Sequence, residues 1–292
     1  MVALTADKQQ LLRDFISGSH ILHYHGIEIE TVSNSWVPLS VLDAYGHLSV
    51  RNPTASDRFI MPRNLAPALL ASEADLVEYH VADAEPVDPS APNGYVERYI
   101  HSEIYKRYPG VNSVIHSHAS EVIPYTISEV PLKPCYHMAG FLGSDVPIFD
   151  ISHAYQEADT RNMLICNIPL GVALASSFSG SGAAAAAAAT SEPDHCAVLM
   201  RGHGFTVCGR SIQESVLRAV YTKENAAIQT NALLTHAAHY RNSSSGSAVS
   251  DIAYLRPEEI EATTEMTRWS FMRPWKLWVR EVEAAGLYVN NI

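Results

Sequence analysis

Val114-Ile115-His116-Ser117-His118 is a short apolar run that ends in His-x-His. On a β-strand, residues i and i+2 face the same side. The run therefore predicts a strand over 111–118 that aims both imidazoles at one point. A rise of about 3.3 Å per residue sets their Cα atoms roughly 6–7 Å apart, close enough to grip one metal ion. The chain has 14 histidines, so the motif alone does not decide the matter.

The flanking sequence supplies partners. Upstream, Tyr95 to Arg107 reads as a helix on which Glu97, His101 and Ile104 or Tyr105 share a face. Tyr108-Pro109-Gly110 ends it. Downstream, His195 to Arg201 is a buried strand running into Gly202-His203-Gly204. Two flanking glycines strip side chains from around His203 and expose its imidazole. His116, His118 and His203 thus form a three-histidine set on two strands, with Glu97 one helix away. Three imidazoles, with a carboxylate or water in the fourth position, are how catalytic zinc is held. The donor set does not name the metal, because divalent affinities follow a common order.

Composition limits the alternatives. The 292 residues suit one large domain or one domain with extensions, and 47% are hydrophobic. No apolar run reaches bilayer-spanning length, and the first residues lack a basic segment followed by an apolar core, so neither a membrane span nor a secretory signal is expected. Cys135, Cys166, Cys196 and Cys208 are widely spaced with no C-x-x-C pair, which fits reduced thiols in the cytoplasm. A net charge of −11 with no basic stripe argues against a nucleic-acid partner. A small-molecule substrate is expected.

Along the rest of the chain, 6–18 reads as an amphipathic helix with Leu11, Leu12, Phe15 and Ile16 at helical spacing. His20 to His25 is a second histidine cluster, read as surface or pocket lining. Ser40 to Pro53 reads as strand, tight turn at Gly46, strand, and Phe59–Pro62 and Leu76–Val81 as further strands. Helices are expected over 119–128, 162–176 and 215–239, the last opened by the capping pattern Ser211-Ile212-Gln213-Glu214. Val146 to Asp150 is a short strand. No chemistry is assigned to the alanine run 183–189. Asn242 to Ser247 is a linker, which divides the chain into a catalytic domain over 1–240 and a helical extension over 241–292.

The ordered set Glu97, His101, Ile104-Tyr105, Pro109, Val111, Val114, His116-x-His118, then Leu199-x-Arg201-Gly202-His203-Gly204 and a long helix, resembles the class II aldolase/adducin family over roughly residues 8–235. That family includes fuculose-phosphate and rhamnulose-phosphate aldolases, ribulose-phosphate 4-epimerase and several decarboxylases. The resemblance implies a three-layer α/β/α fold with a largely antiparallel central sheet, and a homotetramer with sites between subunits. It implies that His116, His118 and His203 bind a divalent metal, zinc first with Mn2+, Fe2+ or Mg2+ as alternatives. Glu97 would be a ligand that can swing off to act as acid or base.

The departures are informative. Where the sugar-phosphate enzymes have Gly-Asn and Ser-Ser to hold phosphate, this chain has Gly46-His47 and Tyr95-Val96. A phosphorylated sugar is not expected. His47, Ser49 and Tyr95 are the candidate substrate-binding residues, suited to a carboxylate, phenol or carbonyl. By the same resemblance His137 and the tail tyrosine Tyr288 are candidates for proton transfer. The function read from this is a metal-dependent carbon–carbon lyase on a non-phosphorylated hydroxy-carbonyl compound or hydroxy acid, acting by aldol chemistry. A decarboxylase of a keto or aromatic hydroxy acid is the second reading. An iron oxygenase and a non-catalytic adducin-like assembly module come after these.

Overall fold

The computed structural model describes residues 6–25, 40–180, 191–241 and 252–292. Seven strands form one sheet: β1 (His47–Arg51), β2 (Arg58–Pro62), β3 (Leu76–His80), β4 (Ser113–Ser117), β5 (Ile148–Phe149), β6 (Ala197–Met200) and β7 (Gly204–Gly209). Their order across the sheet is β3-β2-β1-β4-β7-β6-β5. Every pairing is antiparallel except β5 with β6.

The strands alternate between two apolar layers. Leu48, Val50, Ile60, Ile115, Leu199, Phe205 and Val207 face one side, where they meet α1 (Ala6–Tyr24), α5 (Ile212–Arg241) and α7 (Met272–Ala285). Phe59, Met61, Tyr79, Val114, Val198 and Cys208 face the other, against α2 (Arg98–Arg107) and α4 (Ile168–Ser176). Both faces are covered, so the five residues of β4 are all buried despite two serines and a histidine among them. The three-layer α/β/α arrangement is the one expected from the sequence. Two further helices complete it, the short α3 (Ile123–Ile127) and the longer α6 (Pro257–Ser270). No described helix is long and apolar enough to cross a membrane.

Several local expectations are corrected. No strand precedes Gly46, because the Asp43 carboxylate accepts the backbone N–H groups of Tyr45 and Gly46 and folds the segment into a side-chain-closed turn. β1 pairs instead with β2 and β4. The first helix runs on through Tyr24, and His20 on it is buried and bonded to the Leu70 carbonyl rather than placed at the surface. The helix expected over 119–128 shrinks to α3, with Pro124 in its first turn. The one expected over 162–176 starts at Ile168, where the Asn167 side chain caps the Leu170 N–H. The expected Ser211 cap is present, its hydroxyl accepting from Glu214 N. The alanine run 183–189 and the linker 242–247 lie outside the described residues.

The C-terminal segment is tied into the main core. Trp275, Trp278 and Val282 of α7 are at most 5% exposed and belong to the same cluster as Phe15 and Ile16 of α1. Trp278→Ala is expected to cost about 3–5 kcal/mol and to shift one cooperative urea transition rather than split it, measured by tryptophan fluorescence and far-UV circular dichroism in parallel.

Candidate metal centre

Register brings the first two ligands into place. His116 and the adjacent His118 lie at the C-terminal end of β4, and the tight turn from β6 to β7 delivers His203 beside them. That turn needs its glycines. Gly202 has φ +62° and Gly204 φ +155°, and a Cβ at Gly204 would lie 2.0 Å from the Ser117 carbonyl oxygen. Glu97 enters from the residue before α2.

The four side chains converge. His116 Nε2 lies 3.0 Å from His118 Nε2 and 3.3 Å from His203 Nε2. Glu97 Oε2 is 3.7 Å from His116 Nε2 and 3.8 Å from His203 Nε2. All four ligand atoms fall within 4.8 Å of one another. Metal–nitrogen bonds of about 2.0–2.1 Å in a tetrahedron require edges of about 3.3 Å. The constellation therefore has the dimensions of a small divalent-cation site.

The outer ring nitrogens make the same case. His118 Nδ1 donates to the Asp43 carboxylate at 3.2 Å. His116 Nδ1 donates to the Phe205 carbonyl and to Thr206 Oγ1, whose own proton goes to Met200 Sδ. His203 hydrogen-bonds the backbone of Met163, a residue held at φ +70°. With Nδ1 engaged, each imidazole turns an Nε2 lone pair inward, as a metal ligand must. Burial, and then the other imidazoles, push His116 far below its usual pKa; burial brings His203 to about 4, so both are neutral. Burial raises the Asp43 carboxyl, but hydrogen bonds from His118, Gly46 and Tyr45 outweigh it and hold the group at about 2. Glu97 Oε1 accepts from Ile165 N at 2.9 Å, which leaves Oε2 facing the centre. Burial raises the Glu97 pKa, against the pull of that backbone bond.

A second, metal-free layer backs the centre. His47 pairs across the ladder with His116, and its Nε2 sits 4.0 Å from Glu97 Oε2. Its Nδ1 is 2.7 Å from His101 Nε2, and His101 Nδ1 is 2.6 Å from Ser49 Oγ, which in turn meets the Tyr105 hydroxyl at 2.7 Å.

The remaining sequence-predicted residues are placed as follows. Ser49 is fully buried and spent on His101 and Tyr105, so it lies behind the site rather than lining it. The Tyr95 hydroxyl donates to the Leu65 carbonyl, and the ring meets His47 edge-on at 4.7 Å. His137 is not brought to the ligands within the protomer. It is exposed on a short turn that packs with α5 and α6 in the apolar layer opposite Glu97, beside Tyr136, whose hydroxyl donates to Glu224. Tyr288 is likewise held away. It stacks on His20 and bonds His23 Nδ1, while Asn290 and Ile292 tie the tail to α1. The sequence pattern assigns no role to Asp43, His101 or Thr206, because their roles arise from pairings across the fold.

A family model for the class II aldolase and adducin N-terminal domain matches residues 39–230. The chain belongs to the class II aldolase and adducin family. It is 54% identical over 280 residues to decarboxylase tropJ of Talaromyces stipitatus, covering 96% of each chain. It is 25% identical over 131 residues to a 3,4-dihydroxyphthalate decarboxylase of Arthrobacter keyseri, covering 45% of this chain and 44% of that protein. Its fold is similar to that of an aldolase II superfamily protein from Pseudomonas syringae, with TM-score 0.67 at 16% identity over 97% and 96% of the two chains. The chain is thus an enzyme of the lyase class, with a divalent metal as cofactor and a small molecule as substrate.

Asp43→Asn keeps the size of the side chain but removes the charge that orients His118. Loss of such an outer partner is expected to weaken metal binding about 10–100-fold, measured by competition with a chromophoric chelator.

Proposed function

We propose that this enzyme is a metal-dependent decarboxylase of an aromatic hydroxy acid or β-keto acid, with zinc held by His116, His118, His203 and Glu97. The similarity to decarboxylase tropJ over nearly the whole of both chains carries this reading. It reverses the order of the two lyase chemistries read from the sequence, where aldol cleavage came first. The pocket chemistry supports it as well. His47 and Tyr95 stand where the family's sugar-phosphate enzymes hold phosphate, and the Tyr95 hydroxyl is occupied by Leu65.

A divalent cation at this centre supplies Lewis acidity toward the substrate oxygens. The protein supplies the rest. The carbon–carboxylate bond breaks, its electron pair stays on carbon and spreads onto the neighbouring oxygen, and CO2 departs. A proton must then reach that carbon. Glu97 Oε2 is the titratable oxygen that faces the centre, with Oε1 pinned by Ile165, so Glu97, when not serving as a ligand, would take the proton of the substrate hydroxyl or of solvent and return it to that carbon.

The same reading includes a homotetramer in the cytoplasm. Tyr45, two residues from Asp43, is 72% exposed. Ile127 is 65% exposed, and its Cγ2 lies 3.8 Å from where a Cβ on Gly202 would stand. An apolar rim thus stands open beside the centre for a second subunit. All four cysteines are free.

The test is CO2 release from a panel of ortho-hydroxybenzoates and β-keto acids by zinc-loaded protein. Turnover is expected to vanish with chelator and with His203→Ala, which should also lose the metal. Glu97→Gln is expected to retain most of the metal and lose about 10²–10⁴-fold in kcat. Aldehyde release without CO2 would contradict the proposal.

A further inference from the structure

His47 Nε2 is a fully buried polar atom with no hydrogen-bond partner, and it points at the metal centre. Behind it runs an unbroken chain from His101 to Ser49 to Tyr105. Such a chain can carry its protons in one of two senses. In the first, Tyr105 O–H donates to Ser49, Ser49 O–H to His101 Nδ1, and His101 Nε2–H to His47 Nδ1. His47 then bears its proton on Nε2. In the second, every bond is reversed, and His47 turns a bare lone pair toward the Glu97 carboxylate oxygen 4.0 Å away. That sense sets acceptor against acceptor inside a buried site, where unmet acceptors are most costly. It also robs the Tyr105 O–H of Ser49, the side-chain acceptor within its reach. The first sense satisfies every group but the His47 Nε2–H, which is left facing Glu97 Oε2 and the centre. Tyr105 itself is fixed by Arg51, whose guanidinium lies 4.8 Å over the ring and donates to the Tyr105 carbonyl.

We infer that His101, Ser49 and Tyr105 lock His47 in the tautomer that presents Nε2–H to the metal centre, and that this N–H takes the substrate oxygen on which negative charge grows as CO2 leaves. The inference rests on the decarboxylase reading for the identity of that oxygen, but not for the tautomer. A donor fixed before the substrate arrives stabilises developing charge without reorganising. It favours acids with a hydroxyl or carbonyl next to the carbon that loses CO2, and disfavours acids without one. His47 would contact the substrate; His101, Ser49 and Tyr105 are positioning residues that act through it.

Two measurements on the full-length zinc-loaded protein test this. Long-range proton–nitrogen NMR of protein labelled with ¹⁵N-histidine should show His47 with a protonated Nε2 and a bare Nδ1. A proton on Nδ1 would overturn the inference. The second probe is 4-nitrocatechol, a planar anion with two adjacent oxygens whose visible spectrum reports binding. Ser49→Ala and Tyr105→Phe should each weaken its binding, Ser49→Ala by on the order of ten-fold, and should mix the two His47 tautomers while zinc content stays at one equivalent. Unchanged nitrocatechol affinity and an unchanged His47 tautomer in Ser49→Ala would also overturn it. If no acid in the panel loses CO2 while both results hold, the decarboxylase reading fails and the tautomer lock stands.

Discussion

Three imidazole lone pairs and a carboxylate oxygen are pressed to within 4.8 Å of one another at the end of the sheet. Four electron-rich atoms at that spacing repel unless a cation lies among them. The protein enforces the arrangement from outside. Asp43, the Phe205 carbonyl with Thr206, and the Met163 backbone each occupy a second nitrogen of one ring. Ile165 occupies the second oxygen of Glu97. Each ligand is thus aimed by a different piece of chain, so the metal centre depends on the whole sheet being assembled in register.

That dependence explains the polar character of an otherwise apolar core. The face of β1 and β4 toward α2 carries His47, Ser49 and His116, where a sheet in contact with a helix would ordinarily carry branched aliphatics. Ser113, which faces the other layer, donates from Oγ to the Ser49 backbone carbonyl. Arg51 ends this row with bonds to the Val111, Ser56 and Tyr105 carbonyls. A buried polar row is stable only when its members are satisfied. Here one atom is left over, His47 Nε2, and it faces Glu97 Oε2 in the candidate metal centre.

Much of the centre was legible in the sequence because local periodicity encodes it. His-x-His on a strand fixes two ligands to one side, and Gly-His-Gly announces a turn whose backbone only glycine tolerates. The three-layer fold was legible through the family resemblance that the ordered Glu, His-x-His and Gly-His-Gly motifs carry, rather than through periodicity. What local pattern does not carry is which distant residues meet. Asp43 reaches His118 across 75 positions, and Ser49 reaches His101 across 52. The same limit misplaced Ser49, read as lining the pocket when β-pairing turns it behind the site. It also applies to His137 and Tyr288, which the fold sets on the face opposite Glu97 within one protomer. The stretch before Gly46 looked like a strand because it runs into a glycine turn followed by a second strand, yet one carboxylate captured the backbone donors that a ladder would have used.

The proposed decarboxylation requires a single cation held by side chains from β4, the β6–β7 turn and the start of α2, the residues whose ligand atoms cluster here. X-ray diffraction from crystals of the purified protein, recorded above and below the zinc absorption edge, tests this most directly. The predicted result is one anomalous peak about 2.0–2.1 Å from the Nε2 atoms of His116, His118 and His203, with Glu97 or a bound oxygen completing the shell. An anomalous peak elsewhere in the molecule, with the three imidazoles bonded only to one another or to water, would contradict it.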